Sequence, residues 1–409
     1  MSEGRREEPL RILQLMSCRG WSSDAWAAVS LTLGLQESGH SVVLVCRRNQ
    51  GERVAERAAE AGVRAIEFLS FETGFRPWAW REDLRGLRDL WRKGEVQVFH
   101  AHRGQDHWLA AAALRLWRKE PLRPALVRSR HILEPVRTHL ANRWLYNRAT
   151  DLTVAAAEKI RQGFFKTRAF RKARIVALPG GVDARRFHPG LSGRELRLQL
   201  GLSDSDVSFG MTSSFIPIKG HMTALEALAV LRGRGLSAHL LLAGSGGDQD
   251  KVARCSAELG VEDAVHFLGY RRDLPAALSA ADVGLFAARQ SEGTSRVVLE
   301  WMALGKPVVA TDVGCVRDLL SSGEEGWIVP PDDPRALAGA MDRLARAPGL
   351  RRRMGKAARD RAEREYDRNV WTERMTALYR DALDRRKPPA AAQREGSAET
   401  APSRREGGS

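Results

Sequence analysis

From residue 12 to about residue 310, short apolar runs rich in β-branched residues alternate with longer stretches of helical periodicity. That alternation predicts parallel sheets whose strands are joined by crossover helices. In the first half the predicted strands are 12–15, 42–45, 65–68, 96–99, 125–127 and 152–154; in the second they are 207–211, 239–242, 265–268, 283–286 and 307–310. The rhythm breaks at A-L-P-G-G-V-D-A-R-R-F-H-P-G, where Pro179, Gly180, Gly181, Pro189 and Gly190 punctuate the chain. The expected fold class is therefore α/β, with two Rossmann-like doubly wound domains, 1–185 and 186–365. Ligands of open α/β sheets bind beyond the carboxyl ends of the strands, so the two domains should face a shared cleft. A length of 409 residues suits two cores better than one. Beyond residue 385 the composition turns to Pro, Ala, Ser, Gly and charge, which predicts a disordered tail over 386–409.

The most informative stretch is S-E-G-T-S-R-V-V-L-E-W-M-A-L-G-K-P-V-V-A-T-D, residues 291–312. Thr294 or Ser295 can cap a helix whose apolar positions are Val297, Val298, Leu299, Met302 and Ala303. Gly305 and Pro307 stop it, and a buried strand follows. Glu292 then sits just before the helix and Glu300 little more than one turn inside it, so both can face the space beyond its start. First-turn N–H groups without helical partners make that space suited to a phosphate, leaving two carboxylates to grip hydroxyls. The competing reading pairs Glu300 with Arg296 four residues earlier, and for an isolated E-x7-E it is the commoner one.

With its G-K-P-V-V-A continuation the stretch resembles the E-x7-E signature of retaining GT-B glycosyltransferases of the family 4 type, Trp301 standing where E-A-M-A has its first Ala. The string around Gly180 resembles that family's interdomain N-G-V-D segment, and the resemblance implies a helix over 366–385 that crosses back to the first domain. F-G-M-T-S-S-F-I-P-I-K-G-H resembles the donor-phosphate turn G-R-L-x-x-x-K-G: Lys219 matches, and Ser214 replaces the Arg. A cation there would neutralise charge on a departing diphosphate, whereas the plainer reading is a surface Lys at a helix start. Gly244 lies in a Gly-rich turn after a strand, a weak signal alone. Tyr270 and Arg271 fall where the family receives the nucleotide base, or simply cover a loop. By resemblance Gly293, Thr294, Ser295 and Lys219 hold the diphosphate, Glu300 the ribose, and Glu292 a donor-sugar hydroxyl; Glu292, Lys219 and His131 are the catalytic candidates.

His131 closes V-R-S-R-H after a predicted strand and resembles the family's active-site His; taken singly it would be an ordinary strand-end residue. His100 and His102 in V-F-H-A-H are expected on opposite faces, with His102 the second candidate for the acceptor side. The first loop, M-S-C-R-G-W-S-S-D-A-W, keeps only Gly20 of the family's Gly-Gly turn, followed by Trp21. Both are placed on the acceptor side. Asp24 caps the next helix or touches substrate.

Composition narrows the setting. No run of about 18 apolar residues occurs and the start has no apolar h-region, so a soluble or peripheral cytoplasmic protein is expected. Cys18, Cys46, Cys255 and Cys315 are scattered singly and suggest neither a metal knuckle nor a disulfide framework. No metal and no cofactor are expected, since no D-x-D pair lies at a strand end near this cleft. The net charge of +16 attracts phosphates of any origin. Residues 159–174 contain no acid and interleave Phe164, Phe165 and Phe170 with cations, the make-up of an element on an anionic membrane or of a solvated face with its rings in the core. Nucleic acid is not expected, because no zinc finger, helix-turn-helix or RNP motif accompanies it. The implied function is transfer of a hexose or heptose from a nucleoside-diphosphate sugar to a hydroxyl of a lipid-linked or polysaccharide acceptor. R-S-R-H-I-x-x-P resembles enzymes of lipopolysaccharide-core assembly. A nucleotide-sugar epimerase or a non-catalytic nucleotide-sugar-binding protein would use the same cleft; a dehydrogenase is opposed by the lack of G-x-G-x-x-G after the first strand.

Overall fold

The structure is a computed structural model that describes residues 8–48, 52–72, 76–120, 122–271, 273–290, 293 and 295–386. Glu292, Thr294 and the expected tail from 387 onward lie outside the described residues. The first sheet holds seven parallel strands in the order β3-β2-β1-β4-β5-β6-β7: β1 (Arg11–Met16), β2 (Ser41–Arg47), β3 (Ile66–Leu69), β4 (Val98–Ala101), β5 (Ala125–Arg130), β6 (Leu152–Ala155) and β7 (Ile175–Ala177). The second holds six, in the order β10-β9-β8-β11-β12-β13: β8 (Val207–Thr212), β9 (Ala238–Ala243), β10 (Val265–Gly269), β11 (Val283–Phe286), β12 (Val308–Thr311) and β13 (Gly326–Val329). Helices cover both faces, so strands such as β4 and β12 are buried throughout and read as unbroken apolar runs. The pattern did not announce β7 and β13, edge strands of three and four residues.

Strand order reverses beside β1 and beside β8, and these switch points put the loops after β1, β4, β8 and β11 at the cleft. The chain crosses between the sheets twice. On the outward pass Val182 N–H donates to Tyr366 O at 2.8 Å, and on the return Arg368 N–H donates to Val182 O at 2.8 Å. The Arg359 guanidinium reinforces this pairing by donating to the carbonyls of Ala184, Phe187 and Ala303. The Arg368–Asp384 helix then packs Trp371, Met375 and Tyr379 with Ile12, Leu31 and Val98 of the first domain.

One departure from the family pattern and the basic stretch have structural readings. Trp301 is fully buried, and its indole occupies the space a β-carbon would need at Gly210 on β8 and at Gly284 on β11. The large residue on the helix is matched by two missing side chains on the sheet. In the basic stretch, Phe164 and Phe170 are core residues that meet Tyr146 edge-on, with centroids 5.3 and 5.6 Å away. Only Phe165 is exposed, at 49%, with Arg161 over its ring. Phe164 and Phe170 thus follow the reading that keeps the rings in the core, because they close the space around Tyr146, and the expectation of three exposed phenylalanines is corrected to Phe165 alone. Among the described residues no helix is long and apolar enough to cross a membrane.

The fit of Trp301 into two glycines yields a stability prediction. Gly284→Ala should destabilise the protein by about 1–3 kcal/mol through overpacking, and much less when Trp301 is already Ala. Denaturant unfolding of the two single variants and the double variant measures the coupling; additive losses would show that the indole and Gly284 do not compete for space.

Candidate functional site

The helix Arg296–Ala303 carries the key carboxylate. Glu300 is 3% exposed, its Oε1 lies 2.9 Å from Arg296 Nε, and its Oε2 is buried without a hydrogen-bond partner. The Arg296 pair of the competing reading exists, and one oxygen is left over. Burial raises the Glu300 pKa, against the pull of Arg296 and Arg186. An unsatisfied buried carboxylate oxygen is costly, on the order of 1–3 kcal/mol, so a ligand hydroxyl donating to it gains that amount back. Arg296 also lies 5.0 Å over the ring of Trp26 in the first domain, so the helix start is held from across the cleft. Ser295 is the N-cap residue, as one of the two expected candidates, but makes no side-chain cap bond; its hydroxyl lies 3.6 Å from Cys315 Sγ instead.

Gly293 brings the second domain close against the first. A β-carbon there would collide with the carbonyl oxygen of His131, so no other residue type lets the loop come this close. Both ring nitrogens of His131 are buried and unpartnered, although the residue as a whole keeps some exposure. Burial pushes its pKa down to about 4, with Arg128 and Arg103 adding to the effect and Asp24 opposing it.

Behind His131 stands a column of imidazoles. His102 stacks on it at 5.9 Å and 11°, and His100 lies 4.3 Å from His102. The expectation that His100 and His102 occupy opposite faces is corrected: residues two apart along an extended chain share a face. His100 bonds Tyr379 Oη at 2.6 Å and Ser129 Oγ at 2.8 Å, and His102 Nε2 bonds Gln14 Oε1 at 2.6 Å. Burial holds both well below the usual imidazole range, so the column is neutral. The buried carboxylate of Asp106 accepts from the backbone N–H groups of Ser17, His102 and Arg103, tying the loop after β1 to the loop after β4. Sequence reasoning missed Asp106, although an acid at the third position of a helix is a capping signal.

On the second domain the loops after β8, β9 and β10 nest together. A β-carbon at Gly244, whose φ is +146°, would strike the Ser213 carbonyl, and Gly244 N–H donates to Gly269 O at 2.8 Å. Lys219 ends the turn Pro217–Lys219, and burial lowers its pKa. The turn docks on the end of β11, where Arg289 N–H donates to Ile218 O at 2.8 Å. Arg289 meets the turn through its backbone, while its side chain pairs with Asp332; exposed Ser214 supplies no charge there. His221, also missed in the sequence, stacks on Phe215 at 4.5 Å and has its pKa pushed down to about 4 by burial, with Lys219 adding to the effect. Tyr270 is 65% exposed, and Arg57 of the first domain lies 6.0 Å from its ring and 4.8 Å from that of Trp21. The two predicted aromatics therefore approach one guanidinium from opposite sides of the cleft. Arg271 is engaged by Asp273 at 2.7 Å. Gly20 lies beside Trp21 in a recess of the first domain.

Two facing Rossmann-like sheets, with a buried carboxylate one turn into a helix and a Lys turn on the same domain, are the architecture of a GT-B protein. The glycosyl transferases group 1 model matches residues 194–361, and the Glycosyltransferase Family 4 model matches residues 26–186. The chain belongs to this family of glycosyltransferases. It is 32% identical over 214 residues to the D-inositol 3-phosphate glycosyltransferase of Saccharomonospora viridis, covering 50% of this chain and 49% of that one. The same enzyme from Corynebacterium urealyticum is 29% identical over 307 residues, covering 69% and 71%. The chain spans about half the length of the first curated relatives it matches. Among solved structures, Anabaena HepE in complex with UDP superposes with a TM-score of 0.78 at 20% identity over 91% of this chain and 100% of that one.

The neutral histidines predict a pH dependence. In the unfolded chain an imidazole takes up a proton near pH 6.5, whereas folded His131 resists until about 4. Between those values the unfolded state binds more protons, so the stability tied to His131 is complete above about pH 6.5 and is lost as pH falls toward 4. Its share is on the order of 2–3 kcal/mol. Glu300 and Asp106, whose pKa values burial raises, act in the opposite sense, but equally in wild type and in His131→Asn. Unfolding free energies at pH 7 and pH 5 should therefore differ more for the wild type than for His131→Asn; identical differences would mean that His131 is not held neutral.

Proposed function

We propose that the protein is a retaining glycosyltransferase that moves a hexosyl or heptosyl group from a nucleoside-diphosphate sugar to a hydroxyl of a lipid-linked or polysaccharide acceptor. The observation that carries this reading is the unpartnered Oε2 of buried Glu300, one turn inside a helix whose first residue, Arg296, lies over Trp26 of the other domain. Glu300 accepts from a ribose hydroxyl, and the helix start with Lys219 holds the diphosphate. Glu292 holds a hydroxyl of the donor sugar, and neutral His131, beside Gly293, meets that sugar next to the acceptor. The bond from the anomeric carbon to the diphosphate oxygen breaks and a bond to the acceptor oxygen forms, through an oxocarbenium-like state. Lys219 offsets the charge arriving on the diphosphate, which takes up the acceptor's proton. The family match and the D-inositol 3-phosphate glycosyltransferase relatives support sugar transfer to a hydroxyl. The UDP-glucose complex of HepE makes uridine nucleotides the first donors to try. A cell-envelope role accords with the fold shared with WaaG, a glycosyltransferase involved in lipopolysaccharide biosynthesis, at a TM-score of 0.61 and 16% identity. The reading assigns the protein to the cytoplasm, at the inner membrane face, with exposed Lys166, Arg168, Arg171 and Lys172 toward anionic lipid.

Kinetics of two isosteric variants test the roles. Glu300→Gln should weaken donor binding by roughly 1–2 kcal/mol, because the amide keeps a hydrogen bond and loses its charge-assisted part. Glu292→Gln should lower kcat. If both variants behave as wild type, the site is elsewhere.

The cationic leaving-group site also implies that no divalent ion is needed. Transfer should persist in excess EDTA; activity lost to the chelator and restored by Mg²⁺ or Mn²⁺ would assign the diphosphate to a metal rather than to Lys219.

A further inference from the structure

On the first domain, the carboxyl ends of β1, β2 and β4 enclose a recess of about 540 Å³. Its walls include Arg19, Arg47, Arg103, Trp21, Ser22 and Gln105, and none of its lining residues is acidic. Arg47 is the unusual member. It ends β2 directly after V-V-L-V-C, is 3% exposed, and its Nε is buried without a hydrogen-bond partner. Removing a guanidinium from water is costly unless an anion meets it. Glu72 and Asp83 lie near enough to favour its charge, but neither meets Nε. Asp83 accepts from Ser70 N–H and Oγ–H and from Phe71 N–H, and Glu72 is shared with Arg76. Arg19 lies close enough to oppose the Arg47 charge, and Arg103 is held at 3.0 Å by Asp24 and at 3.1 Å by Cys18 Sγ. Arg57, over the face of Trp21, adds positive charge beside the recess.

Three guanidiniums around one recess present forked donors that match a tetrahedral dianion better than a single carboxylate. Lys219, which serves the donor diphosphate in the reading above, belongs to the other domain. We infer that this recess binds a phosphate group carried by the acceptor, so that the sugar is transferred to a phosphorylated molecule anchored by Arg19, Arg47 and Arg103. The inference rests on the glycosyltransferase reading. It deepens that reading by giving the acceptor a charge.

The test is calorimetric titration of the full chain with inorganic phosphate at fixed ionic strength. Arg19→Gln, at an exposed position, and Arg47→Lys, which keeps the charge and loses the fork, should each weaken phosphate binding roughly tenfold or more, with thermal midpoints near wild type reporting intact folding. Lys219→Ala should leave that binding unchanged. Affinity that follows Lys219 and ignores Arg19 and Arg47, or no saturable binding to the wild type, overturns the inference. Glucose 6-phosphate should displace the phosphate where glucose does not, if the source is a free sugar phosphate; phosphatidylglycerol vesicles, against phosphatidylcholine vesicles, should displace it if the source is a lipid headgroup. Displacement by neither overturns it as well. A parallel titration with UDP separates the two levels: loss of UDP binding on Lys219→Ala, but not on Arg19→Gln, upholds the donor site independently. A wild type that binds phosphate in this recess but no nucleoside diphosphate removes the transferase reading, and with it the acceptor role.

Discussion

Everything at the cleft depends on the doubled crossing between the domains. A single linker would leave two open sheets free to swing, since inter-domain motion is the default when few contacts cross. Here the outgoing and returning segments bond to each other through Val182, Tyr366 and Arg368, and Arg359 ties both to the end of the Arg296–Ala303 helix through Ala303. Gly181 is part of the same constraint, because a β-carbon there would press on Trp371 and the backbone of Arg368. The glycines of the break near residue 180 are thus packing positions as much as punctuation. With the crossing fixed, Gly293 can lie against the His131 carbonyl and Arg296 over Trp26.

The fold was legible because its strands are buried on both faces and so appear as continuous apolar runs between helical periods. What escaped the pattern was short: β7 is only I-V-A, and β13 begins with Gly and contains Trp327. The helix bearing Glu300 was readable from its spacing and stop signals. Which partner Glu300 takes was not, because a helix neighbour and a cleft ligand can each claim one oxygen. The imidazole column was misread through the strand period, and its anchor could not be read at all: Tyr379 lies 279 residues from His100 and meets it only because the last described helix returns to the first sheet. Arg47 left no motif either. A strand-end arginine becomes informative only once its burial and its unpartnered Nε are known.

The site divides its work between charged and neutral groups. Cations remain where the proposed reading expects oxyanions: Lys219 on one domain, Arg19, Arg47 and Arg103 on the other. Histidines beside Arg128 and Arg103 are kept neutral by burial, and a neutral imidazole can both donate to and accept from a sugar hydroxyl. Protonating the column would add positive charge among arginines in a low-dielectric space. The protein avoids that cost by withholding water.

Tyr379 links these two themes. It sits on the helix that follows the return crossing, and its hydroxyl meets His100 at 2.6 Å and the Gln14 amide at 3.4 Å, while Gln14 in turn orients His102. With Gln14 Oε1 as acceptor, His102 holds its proton on Nε2. The tautomer of the imidazole stacked on His131 is therefore set by Gln14, whose amide in turn meets a hydroxyl placed by the way the chain comes back from the second domain. Trp301 plays the corresponding part on the other side, since its fit over Gly210 and Gly284 fixes the depth of the helix that carries Glu300. The two halves of the site are each positioned by packing remote from the cleft, and the doubled crossing is what brings those two packed halves into register.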